Sequence, residues 1–176
     1  MPDSLLDIPP PGGFAGIPSL LQNSNEGKSN NQGVELALSA RISDSWTVFG
    51  NYAWQDAPET EGINAVPHPS GQPIEPVNIP PKHRFNLGVF WDIRRFYANA
   101  NVNYQDVAYW TDVLGPAFWG PTDSFAMVNL GLGTRLRGQE ITIAVNAQNI
   151  FDERIQQHVW GDIISRKVTA QIVYRF

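Results

Sequence analysis

The clearest feature of the chain is a period of two. In Phe96-Tyr97-Ala98-Asn99-Ala100-Asn101-Val102-Asn103-Tyr104-Gln105, Phe96, Ala98, Ala100, Val102 and Tyr104 fall on one side and Asn99, Asn101, Asn103 and Gln105 on the other. Successive strand side chains point to opposite faces, so such a segment presents one apolar surface and one lined with amides. A helix would scatter the asparagines around its circumference. The alternation recurs: Val34, Leu36, Leu38 and Ala40 against Glu35, Ala37 and Ser39, then Trp46, Val48, Gly50, Tyr52 and Trp54 against Thr47, Phe49, Asn51 and Gln55. Phe85, Leu87, Val89 and Trp91 oppose Arg84, Asn86 and Gly88, and Ala126, Val128, Leu130, Leu132 and Leu136 oppose Asn129, Gly131, Gly133 and Arg135. Ile141, Ile143, Val145 and Ala147 oppose Thr142, Ala144, Asn146 and Gln148. Finally, Val168, Ala170, Ile172, Tyr174 and Phe176 oppose Lys167, Thr169, Gln171 and Arg175.

This pattern predicts seven strands of about 9–12 residues, the length that crosses a bilayer at a tilt. Globular strands are typically about 5–6 residues. The connections alternate in length. Tight turns fall at 43–45, 93–95 and 137–139, and long polar loops at 57–82, 111–124 and 152–165. Short turns on one rim and long loops on the other are the arrangement of an outer-membrane barrel. Aromatic residues on the apolar face fall at two levels: Trp46, Trp91, Phe96, Tyr174 and Phe176 near the short turns, and Tyr52, Trp54 and Tyr104 toward the loops. Two such levels around an aliphatic middle match the aromatic girdles of the two membrane interfaces.

Composition is compatible with this reading. Mean hydropathy is −0.26, as expected when lipid-facing and lumen-facing residues cancel. No stretch approaches the ~20 apolar residues of a spanning helix. Cysteine is absent, which excludes disulfides and thiolate metal sites. A net charge of −5 argues against nucleic acid as a partner. The opening Met1-Pro2-Asp3-Ser4-Leu5-Leu6 lacks a secretory signal's basic and apolar regions. Residues 1–27 read as an irregular region and 28–176 as the barrel segment.

Asn30-Asn31-Gln32-Gly33-Val34-Glu35-Leu36, followed by a short turn and the aromatic strand Trp46–Trp54, is similar to the "xxxGvEl" strand opening in the C-terminal barrel of the TonB-dependent outer-membrane receptor family. Ile79-Pro80-Pro81-Lys82-His83-Arg84-Phe85 resembles its "iPpkh" entry, and Val145–Asp152 its "v.v.NlfD" segment. The ending Tyr174-Arg175-Phe176 looks like the terminal aromatic strand read by the outer-membrane assembly machinery, with Ile172, Tyr174 and Phe176 as the signal. The resemblance covers nearly all of residues 24–176. It implies an all-β, antiparallel transmembrane barrel segment in the bacterial outer membrane, and a role in nutrient uptake (a siderophore, cobalamin or an oligosaccharide) rather than catalysis. It also implies lipid, the remaining strands, a plug domain and the TonB system as partners. The chain departs from the family pattern in three respects. Gln171 stands where the terminal signal usually has glycine, no plug or TonB box is visible, and seven strands are a third of the family's about 22. The expectation is therefore an open part of a larger barrel, with the first strand (28–42) and the last (164–176) on opposite edges. The alternatives are a small self-closed barrel, with 14–23 as an eighth strand, and a soluble β-sandwich binding module.

Chemistry-bearing residues are sparse. No cofactor is expected, and His68, His83 and His158 lack metal-ligand spacing. Gly12-Gly13-Phe14-Ala15-Gly16 has no phosphate-loop context. Asp56, Glu59, Glu61 and Glu75 read as solvated charge near or in a proline-rich loop. Loop aromatics with neighbouring polar groups are the better candidates for ligand contact: Trp110, Asp112, Trp119, His158 and Trp160. For the assigned faces, Val102→Arg is expected to impair insertion and Asn101→Arg to be tolerated.

Overall fold

The computed structural model describes residues 27–111 and 115–176. Seven long strands form one antiparallel sheet: β1 (Gly33–Arg41), β2 (Trp46–Gln55), β3 (His83–Ile93), β4 (Phe96–Gln105), β5 (Phe125–Leu136), β6 (Ile141–Gln148) and β7 (Lys167–Tyr174). Their spatial order is their sequence order. Antiparallel neighbours joined in sequence put the three short turns on one rim and the three long loops on the other. β1 and β7 occupy opposite edges, and no ladder joins them, so among the described residues the sheet is an open arc. Residues 14–23 and 12–16 lie outside the described residues.

The register preserves the expected faces. Val102 lies between Leu87 and Val128, and Asn101 between Gly88 and Asn129. Along the outward face, Leu38, Leu132 and Ile172 are 69%, 63% and 74% exposed, which is a cost in water and a requirement in hydrocarbon. The inward face is bonded laterally. Asn86 Nδ2 donates to Asn51 Oδ1 at 2.8 Å, while Asn103 Nδ2 and Asn129 Nδ2 both donate to Asn101 Oδ1, at 3.0 and 2.8 Å. Two inward glycines make room for rings from the neighbouring strand. A Cβ at Gly88 would enter the Phe49 ring, and one at Gly133 the Tyr97 ring. Arg135 lies over Tyr97, 4.7 Å from the ring centroid, and binds Asp92 bidentately at 2.9 and 2.7 Å.

At the short-turn rim the ladder runs one bond beyond the strands. Asp92 N donates to Ser45 O, Arg135 N to Arg95 O and Arg175 N to Glu140 O. The β3–β4 turn places Arg94 at φ 52, and the β5–β6 turn places Arg137 and Gly138 at φ 49 and 62.

The long polar loops carry short strands of their own at the loop rim. Three short antiparallel ribbons stand there: Lys28–Asn30 with Glu59–Glu61, Ala108–Trp110 with Gly120–Thr122, and Ile155–Gln156 with Ile163–Ile164. Residues 28–30 and 163–164 therefore pair outside the main sheet, and the first and last long strands are shorter than expected, starting at Gly33 and Lys167. The final ladder stops at Tyr174 rather than Phe176.

Asn149 anchors one of these ribbons. It is 1% exposed, with a left-handed φ of 51° that asparagine tolerates better than most residues. Its backbone N–H donates to Asn129 Oδ1 at 3.0 Å. Its side-chain Nδ2 donates to Glu153 O and Ile164 O at 2.8 and 3.1 Å, and its Oδ1 accepts from Glu153 N at 3.1 Å. Asp152 Oδ1 accepts from Arg166 N at 2.7 Å, and Ile155 is fully buried alongside.

Three outcomes are expected. Val102→Arg costs about 2–4 kcal/mol of insertion free energy if the site lies near the bilayer midplane, whereas inward-facing Thr169→Arg is tolerated. Thr169 replaces Asn101 in this comparison because Asn101 Oδ1 accepts two hydrogen bonds. Folding yields in liposomes measure both, and equal losses would refute the faces. Gly133→Ala destabilises by about 1–3 kcal/mol through overpacking, and adding Tyr97→Ala recovers most of it; a double-mutant cycle reads the coupling. Asn149→Ala removes three side-chain hydrogen bonds, worth about 2–4 kcal/mol of local stability. It speeds amide exchange at Ile155 while strand protection is retained.

Candidate functional site

The long loops converge through aromatic contacts. Trp110, at the end of the ribbon that prolongs β4, meets His158 of the β6–β7 loop with ring centroids 5.0 Å apart. Phe118, in a 3-10 turn led by Pro116, meets Trp160 at 5.3 Å, and Trp160 Nε1 donates to Phe118 O at 3.0 Å. The 158–161 turn is held locally: Gly161 N donates to His158 O at 2.8 Å and Trp160 N to His158 Nδ1 at 3.3 Å. Gln156 Nε2 braces it from below, donating to Val159 O and Gly161 O, both at 3.1 Å. The cluster is thus two aromatic pairs spanning the β4–β5 and β6–β7 loops, with Trp160 62% exposed.

Trp110, His158 and Trp160, which the sequence singled out, are brought together here. Trp119 follows the 3-10 turn, its N–H donating to Pro116 O at 3.2 Å. Asp112 lies outside the described residues. His158 is half-buried against the indole. Two residues that strand alternation did not single out also belong to this rim. Tyr109 forms a backbone bridge with Ile79, at 2.9 and 2.8 Å, and Asn78 Oδ1 accepts from Thr111 N and Oγ1 at 2.7 and 2.9 Å. They tie the β2–β3 loop to the β4–β5 loop.

An apolar concavity of about 370 Å³ lies at this junction, between Pro58, Ile74, Val77, Ile79 and Tyr109, with Thr60 donating to Glu75 at its edge. Burial raises the Tyr109 pKa above the ordinary phenol value. Its hydroxyl and the Trp110 indole nitrogen are shielded from solvent without a hydrogen-bond partner among the described residues. No group of three or more His, Asp or Glu side chains converges to hold a metal ion among the described residues.

The aromatic residues of the strands pair across the sheet. Trp46 and Trp91 are register partners with centroids 6.2 Å apart, and Arg95 lies 5.4 Å above Phe96. At the other level Phe85 stacks on Tyr104 at 5.1 Å, and Trp54 faces His83 in register. Tyr52 OH and His83 Nδ1 share a 2.8 Å hydrogen bond. Ile172, Tyr174 and Phe176 are all exposed, with Tyr174 and Phe176 centroids 6.3 Å apart.

Comparison with known proteins matches this architecture. The family model described as TonB dependent receptor-like β-barrel matches residues 3–150. The chain belongs to this family. Its outer-membrane location follows from that membership, and the family consists of transporters rather than enzymes. A probable TonB-dependent receptor of Bordetella pertussis, BfrD, is 26% identical over 145 residues, covering 72% of this chain and 17% of BfrD. A chain of the FpvAI–pyocin S2 complex superposes with a TM-score of 0.61 at 14% identity, covering 82% of this chain and 19% of its own. Fiu, the ferric-catecholate import receptor of Escherichia coli K12, gives 0.57 at 23% identity, covering 73% and 18%. FpvA of Pseudomonas aeruginosa, in a complex with a heterologous pyoverdine and iron, gives 0.60 at 14% identity, with coverage of 82% and 19%. The chain therefore spans less than a fifth of the length of these relatives.

Proposed function

We propose that this chain contributes wall strands and ligand-capturing loops to an outer-membrane receptor that takes up a ferric siderophore, energised through a plug domain and the TonB system. The observation that carries this reading is the Trp110–His158 and Phe118–Trp160 cluster at the loop rim, where two hairpins offer flat aromatic surface beside shielded donors. Broad faces with a few placed polar groups suit a bulky conjugated ligand. That Fiu imports ferric catecholates and FpvA binds pyoverdine supports this choice over cobalamin or an oligosaccharide.

The remaining roles follow from the same placement. Trp46, Trp91, Phe96, Tyr174 and Phe176 lie at the short-turn interface and Trp54 and Tyr104 at the loop interface, as the two girdles. Ile172 and Tyr174 on the last strand and Phe176 just beyond it are exposed, where the assembly machinery would read them.

The test is a fluorescence titration of the intact protein in detergent with ferric catecholate, ferric pyoverdine, cobalamin and a maltooligosaccharide. A ferric siderophore is expected to quench tryptophan emission saturably. Trp110→Ala and Trp160→Ala each weaken that binding about 10- to 30-fold, the usual loss for an aromatic hot spot. Binding of cobalamin or the oligosaccharide alone would replace the substrate class, and no binding at all would overturn the proposal.

A further inference from the structure

Charge is divided unevenly between the two rims. The short-turn rim carries Arg41, Arg94, Arg95, Arg135, Arg137 and Arg175, half of the chain's 12 lysines and arginines. Against them stand Asp44, Asp92 and Glu140, three of its 17 carboxylates. The chain as a whole is −5, yet this rim is formally +3 in side-chain charge. Two of the carboxylates are committed locally, Asp44 to Arg41 at 3.1 Å and Asp92 to Arg135 at 2.7 Å. Arg94 and Arg137 are exposed and make no ion pair among the described residues.

These two arginines are neighbours because β4 pairs with β5. The Arg135 N–H donates to Arg95 O at 2.7 Å and ties the β3–β4 turn to the β5–β6 turn. Between the two turns lies an open concavity of about 900 Å³. Its bilayer side is formed by Ile93, Phe96 and Leu136, all on the outward, lipid-contacting face, and its water side by Arg94, Arg95 and Arg137. Ile93 and Phe96 are 41% and 49% exposed. An apolar wall that turns into a cationic edge at the depth of the Trp46–Trp91 aromatics has the polarity profile of one lipid molecule, acyl chain below and anionic headgroup above.

The short turns of outer-membrane barrels face the periplasm, and we propose that the Arg94–Arg137 groove is a binding site for an anionic phospholipid of the inner leaflet of the outer membrane, its phosphate held by the two turn guanidiniums. Guanidinium forks suit phosphate bidentately, and a lipid is favoured over a free phosphate because half of the groove is apolar. The site is independent of what the receptor transports.

Native mass spectrometry of the intact protein in non-ionic detergent, with equimolar phosphatidylglycerol and phosphatidylcholine, tests this. Phosphatidylglycerol adducts are expected to exceed phosphatidylcholine adducts about tenfold. Arg94→Asn with Arg137→Asn should abolish the preference, since asparagine tolerates the left-handed turn conformation while removing the charge. Circular dichroism checks the fold. Lys28→Gln with Arg154→Gln, an equal charge loss at the opposite rim, should leave the preference intact. Glycerol phosphate in tenfold excess should not displace the lipid. Equal adducts of the two lipids, an equal loss in the opposite-rim variant, or displacement by glycerol phosphate would each overturn the proposal; the first and last need only the unmodified protein.

Discussion

Everything in this chain depends on the pairing of backbone donors and acceptors where no water can serve them. An unpaired peptide group in hydrocarbon costs several kcal/mol, so a strand long enough to cross the bilayer must be laddered along its whole length. That requirement accounts for the long registers between successive strands, from Arg84–Gln105 to Ile93–Phe96 in the central pair. It also accounts for the extra bonds at the short-turn rim, where Asp92, Arg135 and Arg175 carry pairing past the last strand residue. With the ladder in place, side chains are left to satisfy two solvents, lipid outside and water or protein inside.

The two faces meet this demand by different means. The outward face needs no specific partners, and its aliphatic and aromatic side chains remain exposed in the isolated sheet. The inward face is built by complementarity: amides bond amides between strands, and the Phe49 and Tyr97 rings fill space left by Gly88 and Gly133. Such ring-over-glycine contacts rigidify a sheet that has no second layer to pack against. The Arg135–Asp92 pair over Tyr97 continues this interlocking toward the short-turn rim.

Order at the loop rim comes from another source. The amide chain Asn103–Asn101–Asn129 ends at Asn149, whose buried side chain fastens the start of the β6–β7 loop. That loop, and the ribbon prolonging β4, then carry His158, Trp160, Trp110 and Phe118 into contact. A loop braced in this way can hold aromatic faces at a fixed separation, which pre-organises a ligand surface and lowers the entropic cost of binding.

The sequence by itself determined the long strands, their faces and their sequential pairing, because alternation and turn length are local properties read directly by the pleat. The asparagine rows and the inward glycines could be assigned to a face from spacing alone, and Trp110, His158 and Trp160 could be named as candidates because aromatic residues in polar loops stand out. The tertiary structure decided which of these meet. That His158 packs on Trp110, that Tyr109 and Asn78 tie two loops together, and that Asn149 reaches Asn129 and Ile164 depend on residues far apart in sequence. No periodicity encodes such contacts. Likewise the ribbons at 59–61, 120–122 and 155–156 are too short to show alternation, and only their partners reveal them as strands. The cationic groove followed the same rule: each arginine was visible in its turn, but only the β4–β5 pairing set Arg94 beside Arg137.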